Sequence, residues 1–215
     1  MYKYVIFDLD GTLLNTLDDL GNAGNFALSE QGFPTHEIEK YRYFAGNGIP
    51  KLIERILPEE KREVSFEKTY RLFCEYYNVH KRDFTRPYDG ITELLKKLSE
   101  VGVRTAVVTN KGDEFAGVLI SDIFGRLIEK TYGSIDGIPK KPDPYLVNKA
   151  ISDFNAEKRD VLYVGDSGVD METALNAELD SCGVLWGFRD REELENSGAK
   201  YVVTNAKELL DIILK

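Results

Sequence analysis

The stretch MYKYVIFDLDGTLLN, residues 1–15, decides how the rest of the chain is read. Val5, Ile6 and Phe7 form a continuous apolar run, and such a run is buried on both faces, as in a parallel strand. Asp8 and Asp10 follow one residue apart, and then Gly11 and Thr12. In an extended chain, alternation sets the two acids on one side and Leu9 on the other. Unpaired, the acids repel; a cation between them, or a proton on one of them, removes the repulsion. Gly11 lets the chain turn tightly, and Thr12 stands where it would orient the second acid. One carboxylate of such a pair suits a nucleophile, and the other a general acid and then base. A solvated Asp-Gly turn is the plain alternative.

Further apolar runs follow the same pattern. Strands are expected at Tyr4–Leu9, Val103–Thr109, Glu129–Gly133, Val161–Gly165, Ser181–Trp186 and Tyr201–Thr204. Helical patterns separate them: ITELLKKLSEVG with Ile91, Leu94, Leu95 and Leu98 on one face, DPYLVNKAISDF, DMETALNA and the final AKELLDIILK. Strand–helix alternation implies an α/β fold, a Rossmann-like parallel sheet covered on both sides. Between the first and second strands the pattern changes. LDDLGNAGNFALSEQGF, GIPKLIERIL and FEKTYRLFCEYY carry apolar residues at helical spacing only. The chain therefore divides into a core of residues 1–14 and 86–215 and an inserted α-helical cap of residues 15–85.

Composition narrows the function. The chain has 215 residues, 42% hydrophobic and 30% charged, with a net charge of -9. That balance argues against a nucleic-acid partner, which asks for a basic face. No run is long enough for a membrane span. Acids interrupt the N-terminal apolar run, so no signal-peptide pattern forms and a cytoplasmic location is expected. Cys74 and Cys182 read as buried thiols of a reducing compartment. There is no G-x-x-x-x-G-K-[ST] loop, Lys51 stands where a dinucleotide motif begun by Gly46 and Gly48 would need its third glycine, and His36 and His80 are too few for a histidine-rich metal site.

In an open parallel sheet, ligands bind beyond the carboxyl ends of the strands. Four constellations fall there: DLDGT, then Thr109–Asn110–Lys111, then KKPDP, then VGDSGVDM. The hydroxyl of Thr109 and the amide of Asn110 suit an oxyanion or phosphate, or equally a turn and helix cap. Pro142 and Pro144 stiffen the backbone, so Lys141 projects from a fixed place. Asp166 and Asp170, at a turn entering a helix, offer oxygens to a hard octahedral cation such as Mg2+, or else cap the helix. Taken together, Mg2+ and Lys141 would offset the charge that lets Asp8 and Asp10 lie close, with Asp10 able to hold a proton.

The set DLDGTL, VVTNK, KKPDP and VGDSGVDM, with GVLWGFRDREEL and the cap's GNG, resembles the haloacid-dehalogenase superfamily, in its phosphoglycolate-phosphatase-like branch with a helical cap. The resemblance covers nearly the whole chain. It implies Asp8 as the nucleophile that becomes an aspartyl-phosphate and Asp10 as the acid that protonates the leaving oxygen and then activates water. It implies Thr109 and Asn110 as the phosphate-binding segment and Lys141 as the bridge between nucleophile and phosphate. Mg2+ would be held by Asp8, the Asp10 carbonyl and Asp166, supported by Asp170. Asn15 replaces an acid common in relatives, a change expected to touch the hinge into the cap. The dehalogenase branch lacks the second acid, so Asp10 points to phosphate.

The cap is expected to choose the leaving group, with Gly46, Asn47, Gly48, Lys51 and Arg55 as candidate substrate contacts and Arg42 behind them. The partner is then a small phosphorylated metabolite, first 2-phosphoglycolate, handled by a monomer or homodimer. Pyrophosphate, a sugar or nucleoside monophosphate, or a phosphomutase reaction are alternatives on the same scaffold, and a non-catalytic phosphate-ligand module is a remote one. Trp186–Arg189, just past a strand end, either lines the pocket or packs its rim.

Overall fold

The computed structural model describes residues 1–215. The strands in chain order are β1 (Tyr4–Phe7), β2 (Leu14–Asn15), β3 (Arg86–Pro87), β4 (Arg104–Gly112), β5 (Lys130–Ser134), β6 (Val161–Gly165), β7 (Asp180–Val184) and β8 (Tyr201–Val203). Six form one sheet in the order β5-β4-β1-β6-β7-β8, and β2 pairs with β3. Every neighbouring pair of the six-stranded sheet is parallel. The chain divides into two compact units, Met1–Leu14 with Pro87–Lys215, and Asn15–Arg86.

The larger unit is a three-layer α/β structure. Alternation along β1 sends Val5 and Phe7 into one apolar layer and Ile6 into the other. The first layer is closed by Ile91, Leu94, Leu95 and Leu98 of helix Ile91–Glu100, by Ala116, Leu119 and Ile120 of helix Asp113–Ile123, and by Leu209 and Ile213 of helix Ala206–Leu214. The second is closed by helix Tyr145–Phe154 and by Ala174 of helix Gly168–Asn176. β1, central and buried on both sides, is the run that the sequence marks most clearly. No helix is long and apolar enough to cross a membrane.

Several strand limits differ from expectation. β1 stops at Phe7, two residues short of the expected end, although the Asp8 N–H still donates to Val164 O at 2.9 Å. β4 runs on through Thr109, Asn110 and Lys111 to Gly112, with an irregularity in its pairing to β5 between Val108 and Gly112. The polar Asn110 and Lys111, beyond the expected end at Thr109, hid that extension. β7 begins one residue early and ends at Val184, which leaves Leu185 and Trp186 in the following loop.

The smaller unit is helical, with Leu17–Ser29, Ile49–Ile56 and Arg62–His80 as its main helices. Tyr41, Leu52, Ile53, Phe73 and Tyr77 lie fully buried within it. Gly24 is required by close approach, since a Cβ there would meet the Tyr41 ring at 2.5 Å. Asp19, buried in the first turn of helix Leu17–Ser29, accepts the Phe84 N–H at 3.0 Å and the Thr85 N–H at 2.8 Å. One carboxylate thus ties the end of this unit to its beginning.

Candidate active site

The order β4-β1-β6 places the segments that follow three central strands side by side. Asp8, Asp10 and Asp166 come from those segments, Thr109 and Asn110 from the last residues of β4 itself, and Asp170 from the helix after β6. Lys141 joins them from the segment after β5. Its backbone is gripped at both ends by one side chain: Asn110 Oδ1 accepts the Lys141 N–H at 2.9 Å, and Asn110 Nδ2 donates to the Lys141 carbonyl at 3.2 Å. The amide expected to face a phosphate therefore braces the lysine. Thr109 is buried, and its hydroxyl oxygen accepts the Lys111 N–H at 3.3 Å.

Two lysines divide the acids between them. Lys141 Nζ lies 2.7 Å from Asp170 Oδ1 and 2.8 Å from Asp8 Oδ1, with all three side chains buried. Asp10 belongs to a different cation. Lys111 Nζ donates to Asp10 Oδ1 and Oδ2, each at 3.0 Å. The expectation that Lys141 offsets both acids of the pair is corrected: Lys141 serves Asp8, and Lys111 serves Asp10. The sequence does signal Lys111, as a lysine directly after the Thr109–Asn110 pair, but there it reads equally as part of a turn and helix cap. Its place on the continuing strand buries it.

Asp166 is oriented from two sides. The Thr12 hydroxyl donates to Oδ1 at 3.2 Å, and the Phe188 N–H donates to Oδ2 at 2.8 Å. Thr12 thus orients Asp166 and not Asp10 as its position suggested. The Trp186 indole N–H donates to the Thr12 carbonyl at 2.9 Å. So Trp186–Phe188 packs behind Asp166 and fastens the loop after β1. Gly187 makes this approach possible, since a Cβ there would lie 2.3 Å from Asp166 Cβ and 2.4 Å from the Gly11 carbonyl oxygen. Gly187→Ala is expected to cost about 1–3 kcal/mol by overpacking, read as a lower denaturant midpoint at constant slope. An unchanged midpoint would mean that the loop yields freely.

Asp170 has little left to offer directly. Its Oδ1 receives Lys141 Nζ at 2.7 Å and the Tyr163 hydroxyl at 3.3 Å, and its Oδ2 receives the Ser167 N–H at 3.1 Å and hydroxyl at 2.7 Å. With Ser167 it forms the capping box of helix Gly168–Asn176. Both readings of the residue, helix cap and site acid, hold at once.

Oxygens of Asp8, Asp166 and Asp170 all lie within 4.8 Å of one another. Three buried carboxylates and one lysine leave the cluster short of positive charge. Burial first, then the Asp170 charge, pushes the Asp8 carboxyl up to about 6 in spite of Lys141. Burial, then Asp170 and Asp8, hold Asp166 well above the usual carboxylate range. Burial opposes the Lys141 charge, but Asp170 and Asp8 more than reverse this and raise it. Asp8 Oδ1 lies 2.8 Å from Lys141 Nζ but accepts no well-aligned hydrogen bond. An all-oxygen donor set with a negative surplus and a buried oxygen lacking a well-aligned donor fits a hard divalent cation. Asp8 and Asp166 have oxygens for direct coordination, and Asp170 adds charge.

The candidate residues of the helical unit form their own small structure. Gly46 and Gly48 take φ of 106° and 85°, which L side chains rarely adopt. Asn47 Oδ1 accepts from Arg55 Nη2 at 2.8 Å, and Arg55 Nη1 donates to the Phe44 carbonyl at 2.9 Å. Arg55 therefore holds the glycine loop in shape. Lys51 is half exposed and paired with Glu54.

Residues 5–184 match the model of the haloacid dehalogenase-like hydrolases. The chain belongs to that family. It is 30% identical to a phosphoglycolate phosphatase of Pseudomonas syringae pv. tomato, with 97% of this chain and 78% of that protein covered. Identity is also 30% to a phosphoglycolate phosphatase of Vibrio parahaemolyticus, over 98% of this chain and 96% of the relative. A crystal structure from Lactobacillus delbrueckii subsp. bulgaricus, provisionally assigned as a phosphoglycolate phosphatase, superposes with a TM-score of 0.94 at 31% identity, covering 99% of this chain and 98% of the other.

Proposed function

We propose that this hydrolase is a Mg2+-dependent phosphatase that cleaves a small phosphomonoester through an aspartyl-phosphate on Asp8, with 2-phosphoglycolate as the first choice of substrate. The observation that carries the reading is the buried Asp8–Lys141–Asp170 arrangement beside Asp166. Phosphoryl transfer asks a protein mainly for positioning and for neutralisation of charge. A carboxylate attacking an anionic ester meets repulsion, and Lys141 lies where it reduces it. When bound between Asp8 and Asp166, Mg2+ would supply the Lewis acidity and the rest of the neutralising charge. Asp10, in contact with Lys111 and apart from the acid cluster, serves as general acid and base. The names of the relatives support 2-phosphoglycolate.

Phosphate release over a panel of small phosphomonoesters and pyrophosphate, with Mg2+ present, tests the reading. A sharp preference for 2-phosphoglycolate is the expected result. No release from any ester would overturn the assignment.

Metal binding has an expected pH signature. Asp8 and Asp166 bind protons more tightly folded than unfolded, so without metal the folded state holds more protons through this window. Stability of the metal-free protein then falls as pH rises from about 4, through the Asp8 value of about 6. A cation that replaces those protons offsets the loss. Adding Mg2+ should raise Tm more at about pH 7.5 than at about pH 4.5. Equal shifts at both values, or none, would count against a site on these acids.

A further inference from the structure

Lys111 is the one buried cation near the site that the reaction outlined above does not use. Its side chain is 2% exposed, and its ammonium spans both oxygens of Asp10, each at 3.0 Å. The two partners sit on supports of different kinds. Lys111 lies in the last residues of β4, past the Val107 pairing with β1 and within the irregular stretch between Val108 and Gly112, its N–H held by Thr109 Oγ1. Asp10 lies beyond the end of β1, in a loop turned by Gly11 at a φ of 88°. The end of a central strand therefore grips a residue of a turn. The grip also separates charge. Asp10 is not part of the Asp8–Asp166–Asp170 cluster, so without Lys111 its carboxylate would face that cluster with no counter-charge.

Resting on the phosphatase reading, we propose that Lys111 is a positioning residue that sets where the Asp10 carboxyl meets the leaving oxygen and then the attacking water. In the first step an Asp8 oxygen bonds to phosphorus while the ester P–O bond breaks. The electron pair of that bond goes to the leaving oxygen, which takes the proton carried by Asp10. In the second step a water oxygen bonds to phosphorus and its proton passes to Asp10. The bond from phosphorus to Asp8 then breaks, which restores the carboxylate and releases phosphate. Both proton transfers need the same Asp10 oxygen in the same place. Because Lys111 reaches both oxygens, it keeps hold of one while the other turns to the substrate. Positioning of this kind matters at the level of tenths of an ångström, and a support on a strand supplies it better than a loop does.

The test compares two esters in the wild type, Lys111→Met and Lys111→Arg. 2-Phosphoglycolate needs its leaving alkoxide protonated, whereas p-nitrophenyl phosphate releases a phenolate that does not. In Lys111→Met, kcat for 2-phosphoglycolate should fall by roughly 10²-fold or more, within the range of general acid–base groups, with KM nearly unchanged. With p-nitrophenyl phosphate the first turnover should stay fast. It should appear as a burst of up to one p-nitrophenolate per enzyme, followed by a slow steady state in which water attack lacks its base. Lys111→Arg should recover much of the activity on both esters. Equal losses on the two esters without a burst, a loss confined to KM, or unchanged kinetics would overturn the role.

Removing a buried cation leaves Asp10 unpaired, so Lys111→Met risks misfolding. Lys111→Gln, which keeps an N–H donor without the charge, is then read in the same way. Failure of the underlying reading looks different. The wild type would release no phosphate from either ester, or Asp8→Asn would release as much as the wild type, and the Lys111 role would fall with it. An active, Asp8-dependent wild type whose Lys111 variants give no burst sinks the Lys111 inference alone.

Discussion

Asp8→Asn should reduce phosphate release to the level of buffer on every ester, while leaving the protein folded and more stable when metal-free. The two halves of this result have one cause. Asp8 is buried beside Asp166 and Asp170, and its carboxyl is pushed up to about 6, so above that pH its charge weighs against the folded state. An amide of the same shape removes the proposed nucleophile and that charge together. With chelator present, Tm of Asp8→Asn should exceed that of the wild type near neutral pH and approach it below about pH 4. Mg2+ should stabilise the variant less, because one of its oxygen donors has become a weaker neutral one. Acid quenching during turnover of labelled substrate should trap phosphate on the wild type and none on the variant. Phosphate release by Asp8→Asn at the wild-type rate would remove Asp8 from the chemistry.

Lys141→Met has the largest expected effect on stability. Its ammonium lies between Asp8 and Asp170, and the side chain is 2% exposed. Breaking a buried ion pair from one side leaves uncompensated charge and typically costs about 3–5 kcal/mol. Here two carboxylates lose their partner. A large drop in the denaturant midpoint is expected, with catalysis lost as well. Mg2+ should restore part of the stability, since it replaces the missing charge, but not the activity, since in the proposed reaction it cannot take the place of the ammonium beside Asp8. A midpoint within about 1 kcal/mol of the wild type would show that the acids take up protons in place of the lysine.

Much of the fold is legible because burial leaves a local mark. Val5–Phe7 and Val161–Gly165 are apolar throughout and sit in the middle of the sheet, where both faces are covered. Local pattern fails where polar residues are buried. Asn110 and Lys111 follow the apolar run as polar residues, so the strand reads as ended at Thr109, yet it continues through them. Their burial depends on partners remote in sequence: Lys141 for Asn110, and Asp10 for Lys111. The same limit hid how Thr12 and Trp186 act, since Thr12 reaches Asp166 and Trp186 reaches the Thr12 carbonyl, partners remote in sequence in both cases. Spacing marks which residue types lie at strand ends. It does not tell which cation goes with which acid.

The Asp19 clamp bears on how such a chain folds at all. β1 must pair with β4, Tyr4 against Arg104, across the whole of Asn15–Arg86. Closing a loop of that length as an open coil carries an entropic penalty and slows the pairing. The helical unit changes that arithmetic. Its helices Leu17–Ser29 and Arg62–His80 pack on each other within the insertion, and Asp19 holds Phe84 and Thr85 against the first turn of its first helix. Just outside that clamp, β2 and β3 pair. Once these helices form, the chain leaves and returns at nearly one point, and the long loop closes as though it were a short one. An insertion whose ends meet in this way can lengthen or be replaced over evolutionary time with little effect on the search by which the central strands find each other.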